Sequence, residues 1–182
     1  VVVSTTDPYF TSDGVSRTVE AYYRSAKPYQ DQGGNYRLIT MGAGLKFGVP
    51  VTEQDTVYLG VNAERTEIRT GTNIPAAYLA YAERFGYKST SFPFTVGWSR
   101  DTRDSALAPN EGRYQRLFGE LGLLGDARYV KTNYQYQQYV PLSKQYTLAF
   151  NGELGWGKGL SGQPFPVFKN FYSGGLGSVR GF

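Results

Sequence analysis

The sequence predicts an all-β fold, a transmembrane antiparallel up-and-down β-barrel of which about eight strands lie in these 182 residues. Three observations predict it. Apolar residues fall on every second position through most of the chain, which puts one face of each extended segment in an apolar medium. The intervening positions carry Gly, Thr, Ser, Asn and Tyr rather than the Lys and Glu of an ordinary solvated face. The connections between segments alternate between short and long, as the two ends of such a barrel do, with the short turns periplasmic.

Residues 1–6 read as the tail of one strand. In the next, 15–25, Val15, Val19, Ala21 and Tyr23 oppose Ser16, Thr18, Glu20, Tyr22 and Arg24. From 37 to 49 the odd positions Ile39, Met41, Ala43, Leu45, Phe47 and Val49 are all apolar, and the even ones, Leu38 apart, are small or polar. From 56 to 65, Val57, Leu59, Val61 and Ala63 oppose Tyr58, Gly60, Asn62 and Glu64. A fifth strand sets Phe92, Phe94, Val96 and Trp98 against Pro93, Thr95, Gly97, Ser99 and Asp101. A weaker pattern from Arg113 sets Leu117, Leu121 and Leu123 against Tyr114, Arg116, Glu120 and Gly122. Residues 129–141 are rich in Tyr and Gln and show no clear parity. The last strand, 146–156, sets Leu148, Phe150, Leu154 and Trp156 against Thr147, Asn151, Glu153 and Gly155.

Short connections are expected at 7–14, which ends in the hairpin signal Asp13-Gly14, and at 50–55, 102–112 and 141–145. Longer or more polar ones are expected at 27–36, 70–91, 125–128 and 158–182, of which 125–128 is too short to support the asymmetry. Within 70–91 a short helix is expected from Pro75 to Phe85, with Pro75 in its first turn and Gly86 at its end. One repeat stands out. Val49-Pro50-Val51-Thr52-Glu53-Gln54-Asp55-Thr56-Val57 matches Val140-Pro141-Leu142-Ser143-Lys144-Gln145-Tyr146-Thr147-Leu148 at an offset of 91 (140 − 49). Pro removes a ladder donor and Ser or Thr supports the turn that follows, so the repeat marks equivalent hairpins of one sheet.

A soluble β-sandwich also alternates and also has short turns. Strands of roughly 10–12 residues argue against it, being close to the ~9–11 that cross a bilayer at a tilt and longer than the ~5–6 usual in globular proteins. The composition of the polar face argues the same way, and so do aromatics gathered near strand ends as in an interfacial girdle: Tyr9, Phe10, Tyr36, Tyr87, Phe92, Tyr114, Tyr129, Tyr139, Tyr146 and Trp156. A mean hydropathy of −0.42 fits a barrel whose lipid-facing and lumen-facing residues average out. The chain has no Cys and no His, so a disulfide framework, a thiolate metal site and most hydrolytic centres are excluded, and no enzyme activity, cofactor or metal is expected. The net charge of +4 is dispersed, without the basic cluster a nucleic-acid surface needs.

The last segment holds three Gly within four residues, Gly174, Gly175 and Gly177, among five aromatics, with one Arg near its far end. Such a loop either folds inward on its own aromatics or is an ordinary glycine-rich surface loop. An Arg drawn into a lumen would need carboxylate partners, for which Glu120 and Glu153 have the right parity; a hydrated lumen wall is their plainer reading. Phe171-Tyr172-Ser173-Gly174-Gly175 followed by Ser178-Val179-Arg180-Gly181-Phe182 closely resembles the sixth extracellular loop of the BamA family. These are assembly barrels of the Gram-negative outer membrane, in a superfamily with two-partner secretion transporters and chloroplast import pores. Residues 7–16 resemble the family's turn between its fourth and fifth strands. Asp104 through Leu107, with Pro109 and Gly112, resemble a later periplasmic turn, and Tyr139-Val140-Pro141-Leu142 the end of the tenth strand.

The resemblance implies the middle of a sixteen-stranded barrel, strands through residue 157 and an inward-folding loop over 158–182. Its loop motif would comprise Gly174, Gly175, Val179, Arg180, Gly181 and Phe182, with Arg180 contacting acidic residues on strands further along. Because the chain starts at Val1 without Met and stops at Phe182 after a Gly-rich loop, it is expected to be a piece of something longer, lacking the periplasmic POTRA domains and the terminal strands. The implied function is insertion of nascent β-barrel proteins into the outer membrane, with that membrane's lipid, unfolded barrel substrates and accessory lipoproteins as partners. A secretion transporter exporting one large polypeptide and a porin-type diffusion channel are the alternatives.

Overall fold

The computed structural model describes residues 1–26, 37–69, 71, 74 and 76–171. Eight strands form one antiparallel sheet in strict chain order. They are β1 (Val2–Asp7), β2 (Ser16–Ala26), β3 (Arg37–Pro50), β4 (Asp55–Arg69), β5 (Lys88–Asp101), β6 (Gly112–Gly125), β7 (Tyr129–Pro141) and β8 (Thr147–Gly159). β8 thus runs two residues past the expected end. One helix, α1 (Ala76–Phe85), lies between β4 and β5, and a 3-10 turn, Val167–Lys169, follows β8. Gly86 closes α1 with a positive φ of 88°, donating its N–H to Ala82 O at 2.8 Å.

Side-chain sorting in this sheet is the inverse of that in a soluble protein. Along β5 the apolar Phe92, Phe94 and Val96 are 40–49% exposed, while their neighbours Ser91, Thr95 and Ser99 are buried. The same parity runs through β2, where Tyr22 is buried and Val19 and Tyr23 are exposed. The buried face is concave: Glu20, Lys46, Tyr58, Thr95 and Arg116, from five consecutive strands, line one cavity of about 490 Å³. This polar face is the lumen, and the exposed apolar face is the lipid wall. β7 resolves the same way, since Tyr129, Lys131 and Asn133 engage lumen groups and Val130, Tyr134 and Tyr136 face outward with Leu121, Leu117 and Gln115 as register partners.

Tyr114 and Tyr129 are therefore not girdle residues. Tyr114 lines the lumen cavity, and the Tyr129 side chain is fully buried. Their nearness to strand ends made them look interfacial, but parity decides the face. The register shifts between Phe92 and Pro93, where Phe92 pairs with Leu124 and Pro93 with Gly122. Pro93 has no N–H to give the ladder, and the resulting bulge leaves consecutive Leu123 and Leu124 both exposed, 56% and 68%.

The 91-residue repeat appears as two turns with the same backbone bonding. Val51 and Thr52 N–H donate to Asp55 O (2.9 and 3.3 Å), and Leu142 and Ser143 N–H donate to Tyr146 O (2.9 and 3.1 Å). In each, the hydroxyl accepts the next two backbone N–H groups but one, Gln54 and Asp55 to Thr52 Oγ1, Gln145 and Tyr146 to Ser143 Oγ. The turn between β5 and β6 is built on Asp104, which accepts N–H from Asn110 (2.9 Å) and Glu111 (3.2 Å). Those two backbone donors hold its carboxyl below the usual carboxylate range.

At the opposite end, α1 packs its Tyr78, Tyr81 and Ala82 with Ile68 of β4, against Leu38, Phe85, Val167 and Phe168. This apolar cluster sits at the long-loop ends of β3 and β4. The two faces differ in what they tolerate. Val96→Arg is expected to destabilise the folded barrel by ~2–4 kcal/mol in lipid vesicles, as an Arg on the lipid face does near the midplane. Lumen-facing Gln135→Lys should change stability by less than about 1 kcal/mol, both read by urea unfolding.

Candidate functional site

The lumen's main polar cluster forms around one loop cation. Parity puts Glu64 of β4 and Glu120 of β6 on the inner face, and the chain after β8 returns along that face so that the Val167–Lys169 turn sits above them. Lys169 Nζ lies 2.9 Å from Glu64 Oε1 and 3.0 Å from Glu120 Oε1, with its side chain only 13% exposed. Tyr22 of β2 donates its hydroxyl to Glu64 Oε2 at 2.7 Å, and Tyr129 of β7 donates to Glu120 Oε1. Lys131, the register partner of Glu120, donates to Lys169 O at 2.9 Å. Two carboxylates and two ammonium groups thus balance. Burial works against the Lys169 charge, but Glu120 and Glu64 outweigh it and hold its pKa above the ordinary lysine value.

The rest of the loop is seated on a strip of glycine. Gly155, Gly157 and Gly159 occupy the lumen face of β8. A Cβ at Gly155 would stand 2.6 Å from the Phe171 ring, one at Gly157 2.7 Å from the Phe165 ring, and one at Gly159 would strike the Gln163–Pro164 backbone. On β6, two strands away, a Cβ at Gly122 would meet the ring of its β7 register partner Tyr129 at 2.6 Å. Phe165 stands edge-on to Tyr129, centroids 5.9 Å apart, and Lys131 Nζ sits 4.3 Å from the Phe171 centroid. From the long-loop end, α1 holds the same turn: Tyr78 OH donates to Val167 O at 3.3 Å, and Tyr81 meets Phe168 edge-on at 5.8 Å.

Of the residues the sequence singled out, Glu120 is in this cluster and Glu153 is not; Glu153 is exposed and accepts from Asn133 Nδ2 at 2.6 Å. The loop motif Gly174, Gly175, Val179, Arg180, Gly181 and Phe182 lies outside the described residues, as does Pro75. Sequence reasoning passed over Lys169, Glu64, Tyr22 and the glycine strip. The strip was visible as Gly at every second position from 155 to 159. Lys169 stands beside Phe168 and Phe171 in a loop already expected to fold inward, whereas nothing local to Glu64 distinguishes it from other lumen residues.

Chemically the cluster fixes the position of the Val167–Lys169 turn over the lumen wall. An ion pair taken out of water adds little net stability, but removing one partner strands the others. Lys169→Met is therefore expected to cost about 3 kcal/mol, the low end of such losses, and to expose the loop to protease; adding Glu64→Gln and Glu120→Gln should recover most of it. Because the Lys169 pKa is raised, its contribution is complete below the ordinary value of 10.5 and is lost as pH rises through the raised value. The stability gap between wild type and Lys169→Met should accordingly stay constant from neutral pH to about 10 and close above that. Gly155→Val should unseat Phe171 at ~1–3 kcal/mol and raise protease cleavage after β8 without altering the sheet's circular dichroism.

The whole chain, residues 1–182, matches the Omp85 superfamily domain. It is 37% identical over 192 aligned positions to the outer membrane protein assembly factor BamA of Neisseria meningitidis serogroup B, covering 99% of this chain and 24% of that protein. The corresponding assembly factor of Nitratidesulfovibrio vulgaris is 31% identical across 100% of this chain and 22% of its own length. The crystal structure of BamA from Haemophilus ducreyi lacking POTRA domains 1–3 superposes with a TM-score of 0.89 at 26% identity, covering all of this chain and 37% of that one. The chain spans about a quarter of the length of the sequence relatives it matches. With lumen and lipid faces sorted as they are in an outer-membrane barrel, and the match running from end to end, this chain belongs to the Omp85 superfamily.

Proposed function

We propose that the chain forms the central wall of an assembly barrel that folds and inserts β-barrel proteins into the Gram-negative outer membrane. The observation that carries this reading is 37% identity to a BamA assembly factor across 99% of the chain. Insertion is a problem of unpaired edges: an incoming strand cannot sit in hydrocarbon with its N–H and C=O groups bare. A seam elsewhere in the complete barrel would offer its own edges by strand addition, while β1 to β8 stay as a rigid wall. The segment after β8 folds inward as far as Phe171, with Lys169 anchoring it; in this reading Arg180 of the motif would pair with carboxylates outside this chain. POTRA domains, terminal strands and accessory lipoproteins complete the machine. A diffusion channel requires an open lumen, and the seated loop fills part of this one.

The test is reconstitution of the full-length protein, with its lipoproteins, into vesicles. Urea-denatured β-barrel substrate is expected to reach its heat-modifiable folded form at least tenfold faster than with empty vesicles; equal rates would sink the proposal, and steady conductance without substrate dependence would favour a channel. Arg180→Ala in the full protein is expected to lower heat stability or assembly rate. Unchanged gel behaviour together with normal growth of a strain carrying only that variant would count against the loop's role.

A further inference from the structure

The outer wall carries a polar row at its short-turn margin. Asp55 of β4, Arg100 of β5, Gln115 of β6 and Tyr136 of β7 are consecutive register partners, and they share parity with the lipid-facing Val57, Trp98, Leu117 and Tyr134 one row further in. One row further out, Arg113 pairs with Gln138. Arg113 and Gln138 also line a cavity of about 340 Å³ between the β5–β6 turn and the end of β7, with Glu111 on its turn side.

The hydrogen bonding leaves this row almost entirely as donors. Asp55 is saturated: it accepts from Arg100 Nε (2.9 Å) and Nη2 (2.7 Å), from Trp98 Nε1 (3.1 Å) and from Thr52 Oγ1 (2.9 Å). Arg100 spends two of its five N–H groups on Asp55, and its side chain is 41% exposed. The Gln138 carbonyl accepts from Tyr136 OH at 2.8 Å and the Gln115 carbonyl from Tyr134 OH at 3.4 Å, so both amide NH₂ groups stay available. Arg113 is exposed and takes no part in the ion pairs among the described residues.

We propose that this margin binds the headgroup of a phospholipid in the periplasmic leaflet. Arg113 meets the phosphate, and the amides of Gln138 and Gln115 with the free edge of Arg100 supply further donors, a set matched to phosphate oxygens. Glu111, across the cavity, suits a cationic headgroup, so the lipid is a zwitterionic ethanolamine phospholipid. Trp98 and Leu117 lie where its acyl chains begin. The site would fix a lipid on a part of the wall distant in sequence from either end of the chain.

The full-length protein is purified in detergent, titrated with 1-palmitoyl-2-oleoyl-phosphatidylethanolamine, and the retained lipid counted by native mass spectrometry. Arg113→Gln is expected to weaken retention about tenfold, the loss of one charge-assisted contact, while Lys158→Gln, an outward cation at the opposite end of β8, leaves it unchanged. Dioleoylglycerol, which has no phosphate, should be held no better by wild type than by Arg113→Gln. Equal retention of the phospholipid by wild type and Arg113→Gln overturns the proposal, as does complete displacement by inorganic phosphate, which would mark a free-anion site. Heat-modifiable migration establishes that the variant is folded; should it fail to fold, Gln138→Leu takes its place with the same expected loss and the same overturning result.

Discussion

Hydrocarbon offers a backbone nothing to bond with, so a strand can cross it only with both edges of its ladder completed. Much else in this structure follows from that constraint. The strands run in strict chain order because consecutive antiparallel strands complete each other's ladders. They alternate apolar and polar side chains because one face meets lipid and the other does not. The inner face then inherits the polar residues and must satisfy them among themselves: Lys46 with Glu20, Tyr22 with Glu64, Tyr129 with Glu120 and Asn133 with Glu153.

That polar interior gives the loop after β8 somewhere to bind. A loop carrying an ammonium group can replace water in a lumen that already holds two carboxylates on strands two apart, and its phenyl rings can lie flat only where the wall has no side chains. Lys169 and the glycine strip supply these two conditions separately, one electrostatic and one steric. The first specifies where the turn sits; the second allows it to come that close. The aromatic face of α1 closes over the same turn, so the segment is held from three sides, by β4 and β6 below, β8 beside and the helix above.

The wall was legible in the sequence because a period of two survives wherever the two media differ enough. Parity gave β2 to β6 and β8 directly, and the Pro-Ser/Thr hairpin signature located two turns that share the same backbone and hydroxyl-to-N–H bonds. β7 resisted because Tyr and Gln serve on both faces: Gln135 looks into the lumen and Gln138 toward lipid with the same side chain. The bulge at Leu123 was invisible for a related reason, since two adjacent Leu read as noise in a parity count until Pro93 on the partner strand is recognised as the cause. Within the site, composition and parity could nominate Glu120, but they could not rank Glu153 below it or pair Glu64 with a residue 105 positions later (169 − 64). That pairing depends on the path of a loop, which no local pattern encodes.

The alternation also limits how such a wall can change length. Adding a single residue to β3 or β5 would turn every later side chain of that strand inside out, sending phenyl groups into water and hydroxyls into oil. Two residues would merely lengthen the ribbon. Insertions and deletions in these strands should therefore survive in even steps, with odd ones confined to turns or to places such as Leu123, where the sheet already absorbs an extra residue without losing count.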